Sequence, residues 1–192
     1  MSECRDILVA VTGASGVVYA ERFLEIATKS GLIVKGVIVT DSALNVARIE
    51  LDRDLRIPPR IPVYRERDFT SPFASSSGVP SCMVIVPASM NTIAKIAVGL
   101  QDNLVTRAAT SILRLGRRLI VVPRETPLGV AELESMVKLA RRGVIVLPAS
   151  PGFYNKPRSI DDMIDFVIGK ILDVLGVTNS LYDHWGAKTR PP

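Results

Sequence analysis

The side chains of this 192-residue sequence that could do chemistry are limited first by what is scarce: His184 is the only histidine. Ser-His-Asp or Cys-His mechanisms therefore have no base in the body of the chain. Acid–base work falls to carboxylates, and Glu50 and Glu125 are the acids best placed in sequence. Glu50 falls near the end of a helical pattern, where an acid opposes the helix dipole. It reads either as a solvated surface acid or as a site carboxylate. Arg124, between Pro123 and Pro127 in PRETP, is the best anion ligand, because a rigid turn presents its guanidinium for bidentate binding of an oxyanion. Arg114, Arg117, Arg118, Lys156, Arg158 and Lys170 complete a basic set in the same half of the chain. Lys170, beside Phe166, Val167 and Ile171, is either a snorkelling stem or a charge held toward a site.

Small residues supply the second kind of chemistry. In ILVAVTGASGVVYAERFLEIA (7–27), a wholly apolar run passes through Gly13-Ala14-Ser15-Gly16 into Val17, Ala20, Phe23, Leu24 and Ala27 at helical spacing. Free backbone N–H groups at the start of that helix favour an anion. The first glycine of G-x-G-x-x-G is missing, so the loop reads as a mononucleotide loop, or as a tight turn without ligand. One acidic cluster is set aside. Asp161, Asp162 and Asp165 form a DDxxD pattern, but a single copy after Ser159 fits a capping box with Asp162, and acids in a first helical turn stabilise the dipole. No CxxC or CxxH spacing offers a metal site.

These residues need elements to hold them. Apolar runs at 7–11, 32–39, 83–86, 119–122 and 144–147 read as five buried strands. Helices are expected at 17–27, 43–51 after an Asp41 or Ser42 cap, 91–98, 103–113 after Asp102, 130–140 and 160–175. This alternation predicts an α/β fold, a doubly wound parallel sheet in a three-layer α/β/α arrangement of the Rossmann or flavodoxin-like kind. TGASG, Thr40-Asp41, PASMNT, PRETP and PASPGFY all leave strand carboxyl ends, so they share one sheet edge. The proline-, serine- and charge-rich segment 52–80 predicts little regular structure and reads as a lid, a binding loop or an oligomer contact.

Composition narrows the class. With 47% hydrophobic and 22% charged residues the chain is a soluble globular protein, expected as a single domain over 1–192 with the irregular loop 52–80 and a tail at 176–192. A net charge of +5 with only 5% aromatics and no basic stripe argues for a small phosphorylated ligand over nucleic acid. Cys4 and Cys82 are too few and too far apart for a disulfide framework, which makes the cytoplasm the default compartment. No apolar run approaches the roughly 18 residues of a membrane span.

With TGASG, PASMNT, VPRETP and PASPGFYNKP in this order, the chain resembles the UbiX-type flavin prenyltransferases from Ile7 to Trp185. The resemblance implies a homododecameric, metal-independent transferase that joins a dimethylallyl group from dimethylallyl phosphate to N5 and C6 of reduced FMN. The prenylated FMN then serves a partner decarboxylase of the UbiD type. By similarity Gly13, Ala14, Ser15, Thr40, Ser89, Met90, Asn91, Thr92 and Arg124 match flavin-binding positions. Tyr154, Lys170, Arg114 and Arg124 match the prenyl-phosphate site with Glu125, and Trp185 an aromatic of the closing tail. Glu50 and Ser15 match the carboxylate and hydroxyl near N5. Arg114 stands where the family commonly has lysine, and Lys170 where it often has arginine. Two other functions remain as alternatives: a flavin-dependent decarboxylase of the cysteine-decarboxylase type, which uses a histidine this chain lacks before His184, and a non-catalytic FMN carrier.

Overall fold

Unbroken aliphatic runs become the inner strands of a parallel sheet because both of their faces are covered. The computed structural model describes residues 4–186, and these form strands β1 (Asp6–Val11), β2 (Ile33–Val39), β3 (Val63–Arg65), β4 (Cys82–Ala88), β5 (Arg118–Pro123) and β6 (Ile145–Val146). Helices α1 (Val17–Lys29), α2 (Asp41–Leu51), α3 (Met90–Ala97), α4 (Leu104–Arg114), α5 (Val130–Arg141) and α6 (Ile160–Leu175) connect or follow them. The strand order is β3-β2-β1-β4-β5-β6, with every neighbouring pair parallel. The chain winds outward in both directions from β1, so the topological switch point lies between β1 and β4.

Alternation along the strands divides the core into two layers. Ile7, Val9 and Val11 of β1, with Val84 and Val86 of β4, face α1, α2 and α6. Leu8 and Ala10, with Met83 and Ile85, face α3, α4 and α5. Helix ends follow capping chemistry, with two changes of residue from the sequence expectation. Thr40, rather than Asp41 or Ser42, caps α2 by accepting from the Ala43 N–H. Asn103, rather than Asp102, caps α4 in a reciprocal box with Thr106, while Asp102 pairs with Lys95 at 2.6 Å. The expected box of Ser159 and Asp162 opens α6. The Arg158 and Ser159 backbone N–H groups hold the Asp162 carboxyl below its ordinary range.

Three expectations change. The sheet has a sixth strand, β3, inside the segment read as irregular; at three residues between Pro62 and Glu66 it is too short for a periodicity signal. That segment is also tied to the body rather than loose: Ile61, Phe73 and Val79 are buried, and Arg107 Nε donates to the Ala74 carbonyl at 2.6 Å. Finally, Cys4 and Cys82 form a disulfide despite their separation of 78 residues. Strand order brings them near: Ile7 pairs with Cys82 across β1 and β4, and the residues just before β1 carry Cys4 to a Cα separation of 5.6 Å from Cys82. The bond is buried at the sheet edge opposite the predicted site.

Candidate functional site

The crevice at the switch point is built from backbone. β1 and β4 pair from Ile7↔Cys82 to Ala10↔Ile85, and past that the pairing ends at Pro87, which has no N–H to give. Thr12 rejoins the strands beyond the gap. Its hydroxyl donates to the Pro87 carbonyl at 2.8 Å and accepts from the Ser89 N–H at 2.8 Å, while its own N–H reaches the same carbonyl at 3.3 Å. Thr12, 1% exposed, thus ties the β1–α1 loop to the β4–α3 loop through its hydroxyl. Sequence reasoning passed over it. A threonine between a buried strand and a glycine is the only signal that pointed there.

The expected flavin-binding positions converge around this tie. Gly13 sits so close to α2 that a Cβ on it would lie 2.4 Å from Ser42 Oγ. Gly16 opens α1 with φ 97°, a left-handed conformation that glycine adopts without penalty. Ala14 is buried, and Ser15 is exposed on the loop surface. Ser89 caps α3 by accepting from the Thr92 N–H at 3.3 Å, and its hydroxyl lies 3.0 Å from Thr92 Oγ1. Met90 and Asn91 occupy the first turn of the same helix. Thr40 stands at the end of β2, its hydroxyl 3.0 Å from Ser42 Oγ. Arg124, leaving β5, donates from Nε to the Ser15 carbonyl at 3.3 Å. Glu125, one residue on, is exposed, and its carboxylate accepts from the Thr126 N–H.

Glu50 has a specific place. Its carboxylate accepts from the Gly16 N–H at 3.0 and 2.9 Å and from the Val17 N–H at 3.2 Å. An acid that opposes the dipole of its own helix is thus held at the positive end of another. Glu50 is exposed, and its carboxylate rests against the small-residue loop.

The second group of residues lies along α6. Tyr154 meets Phe166 edge-on at 5.7 Å and Trp185 at 5.3 Å. Lys170 Nζ sits 4.6 Å from the Tyr182 ring centroid and 5.5 Å from that of Phe166, a cation between two ring faces. It also lines a cavity of about 360 Å³ with Leu147, Pro148, Ser150, Phe166 and Asp173. The tail is laid back along α6 by Asn179, whose amide donates to Asp173 at 2.8 Å, and by the Tyr182 hydroxyl, which also donates to Asp173. Burial first, and then the Asp173 carboxylate, push the Tyr182 hydroxyl well above the ordinary tyrosine range. The loop after β6 adjoins the crevice, since the Ala149 N–H donates to the Pro123 carbonyl at 3.0 Å beside Arg124. Both groups thus belong to one sheet edge. Arg114 does not join them within this chain: it ends α4 and leads directly into the start of β5, at the opposite edge.

A doubly wound sheet with a small-residue loop and hydroxyl-capped helices at its switch point, and an arginine reaching that loop from β5, defines a mononucleotide-binding α/β protein. The Flavoprotein family model matches residues 1–172. A flavin prenyltransferase UbiX of Thermoplasma acidophilum is 45% identical over 93% of this chain and 99% of its own length. The solved structure of AnUbiX (PadA1) in complex with FMN and dimethylallyl pyrophosphate is 32% identical, with a TM-score of 0.85 over 94% of this chain and 97% of that one. A dodecameric FMN-dependent UbiX-like decarboxylase from Escherichia coli O157:H7 is 30% identical, with a TM-score of 0.85 over 94% and 98%. The chain belongs to the flavoprotein family and, within it, to the UbiX-type flavin prenyltransferases, which are transferases.

Proposed function

We propose that this protein transfers the dimethylallyl group of dimethylallyl phosphate to N5 and C6 of reduced FMN, releasing prenylated FMN for a decarboxylase of the UbiD type. One observation carries the reading: a crevice lined by amides and hydroxyls shares its sheet edge with a separate cation–aromatic site at Lys170 and Tyr154. A carrier needs only the first of these. The residues fit a flavin, because Ser89, Thr92 and Arg124 offer donors to its polar atoms beside the small-residue loop that carries Ser15 on its exposed surface.

Reduced flavin supplies the nucleophilic nitrogen and carbon. The chain's own residues handle charge and protons. Breaking an allylic C–O bond separates a delocalised cation from phosphate, and Lys170, Arg124 and Tyr154 would neutralise and orient the phosphate as its charge develops. No step of this proposal requires a metal ion. Glu50 would carry protons at N5, with the Ser15 hydroxyl beside the same atom, and Glu125 would assist at the phosphate. Trp185 would cover the donor.

We further propose a homododecamer. α5 leaves Val130, Leu133 and Val137 exposed at the spacing of one helical stripe, a face that a second copy would bury. Arg114, at the far edge of its own sheet, would then serve a neighbouring copy's donor site. No helix among the described residues is long and apolar enough to cross a membrane. We assign the cytoplasm, since reduced flavin needs a reducing compartment, and burial shields the Cys4–Cys82 bond there.

The test is anaerobic incubation with reduced FMN and dimethylallyl phosphate, followed by mass spectrometry of the extracted flavin. A flavin heavier by one five-carbon unit is expected. Unmodified flavin, with either mono- or diphosphate donors, would overturn the proposal.

A further inference from the structure

Two tethers, not one, join the end of α2 to α1. The first is Glu50 on the Gly16 and Val17 amides. The second lies just beyond it: Arg53 donates from Nη1 and Nη2 to the two carboxylate oxygens of Glu21 at 2.6 and 2.8 Å. The Arg56 backbone N–H adds a contact of 2.6 Å to the same carboxylate. Glu21 lies one helical turn past Val17 on α1, and Arg53 lies three residues past Glu50, so the tethers run side by side. Between them Asp52 closes α2 in a left-handed conformation at φ 52° and ψ 25°. A non-glycine residue holds that conformation where its surroundings fix it.

The second tether has the properties of a positioning device. Glu21 is 14% exposed and Arg53 32%, whereas the nearby Arg48–Asp54 pair is 61% and 74% exposed. A sheltered fork keeps its geometry where a solvated pair does not, and guanidinium sacrifices little freedom to form one. The other side of α1 is also fixed, because Arg22 makes a second fork to Asp165 of α6 at 2.7 and 2.9 Å. α1 is therefore a fixed frame, and what the Glu21 fork restrains is the end of α2. Glu50 itself is an exposed side chain whose hydrogen bonds among the described residues are to backbone amides. Its place depends on where its backbone is held.

We propose that Glu21 and Arg53 form a clamp that positions Glu50 against the start of α1, so that loss of the clamp misplaces the group that carries protons. The catalytic half of this inference rests on the prenyl-transfer reading above. Burial alone would raise the Glu21 carboxyl, but the Arg53 fork and the Arg56 N–H override it and hold the group below its ordinary range, so the clamp stays charged at neutral pH.

A double-mutant cycle on the full chain tests the clamp, with turnover to prenylated flavin at saturating dimethylallyl phosphate as the readout. Glu21→Gln should lower kcat by about tenfold, as misplacement of a reacting group does, while donor KM and FMN Kd stay within about twofold. Arg53→Lys, which keeps the charge and loses the fork, should show a smaller loss and guards against a variant that fails to fold. In a Glu50→Gln background, Glu21→Gln should cost nothing further. An equal loss in both backgrounds, or no loss in either, overturns the inference. Amide hydrogen exchange supplies a readout independent of activity: Gly16 and Val17 should lose protection in Glu21→Gln while the middle of α1 keeps it. Unchanged protection there removes the clamp whatever the turnover. An inert wild type would overturn the prenyl-transfer reading and the catalytic half with it, and exchange would then decide the clamp alone.

Discussion

In the crevice between β1 and β4 the fixed points are main-chain atoms: the Pro87 carbonyl, the Ser89 N–H and the Gly16 and Val17 amides. Along α6 they are rings, with Tyr154, Phe166, Tyr182 and Trp185 packed edge-on or tilted and Lys170 set between two of them. The difference is one of tolerance. Hydrogen bonds to strand ends lose most of their strength when geometry drifts, whereas ring contacts survive offsets of an ångström or more. A flavin that must present one edge to a reagent needs the first kind of holder. Under the proposed function, a small prenyl donor that must enter and leave suits the second.

If that contrast is right, the largest single effect comes from the crevice. Glu50→Gln keeps shape and removes the titratable group, so turnover should fall by about 10²-fold or more, with FMN affinity retained by fluorescence quenching. Unchanged turnover would return Glu50 to a purely structural role. On the other side, Lys170→Ala should raise donor KM by about tenfold, the scale of one charge-assisted contact, and spare FMN binding. A variant that lost FMN and donor together would merge the two regions into one. Thr12→Val takes the hydroxyl acceptor from the Ser89 N–H and leaves the Pro87 carbonyl only the longer bond from the backbone N–H at position 12, so FMN Kd should rise by about fivefold to tenfold, and Thr12→Ser should restore it. Equal values for the valine and serine variants would show that the hydroxyl is idle.

The smallest effect concerns the tail. The Tyr182 hydroxyl donates to Asp173 only while protonated, and its folded value lies above the ordinary 10.0. Its stabilisation is therefore complete below pH 10 and declines as pH climbs through the folded value. Trp185, the only tryptophan, should report this as a fluorescence change that begins above pH 10 and is absent in Tyr182→Phe. A transition at neutral pH would assign the tail's attachment to another group.

The same contrast governs what was legible in the sequence. The inner strands, helix α6 and the convergence of TGASG, PASMNT and PRETP on one edge could be read directly, since burial on both faces and helical spacing leave local signatures. β3 could not, because its three residues pair only where β2 offers an edge. The Cys4–Cys82 bond was hidden because it depends on β1 and β4 being neighbours, which strand patterns do not reveal. The contact of Glu50 with the Gly16 and Val17 amides needed the fold for the same reason: these partners lie 34 and 33 residues away. Resemblance brought Tyr154, Lys170 and Trp185 together, and Phe166 was legible as an apolar neighbour of Lys170, but Tyr182 and Asp173 carry no motif and their contacts emerge only in three dimensions.

Pro87 has one more consequence. Where β4 passes it, the ladder to β1 runs out of donors after Ala10↔Ile85, and the register toward β5 also slips between Ile85 and Ala88. The regular ladder is thus interrupted at one imino acid, with Thr12, through its main-chain N–H and its hydroxyl, as the stitch that rejoins β1 to β4 beyond it. The size of the opening offered to a planar ring is set less by the loops that rim it than by where that stitch is placed.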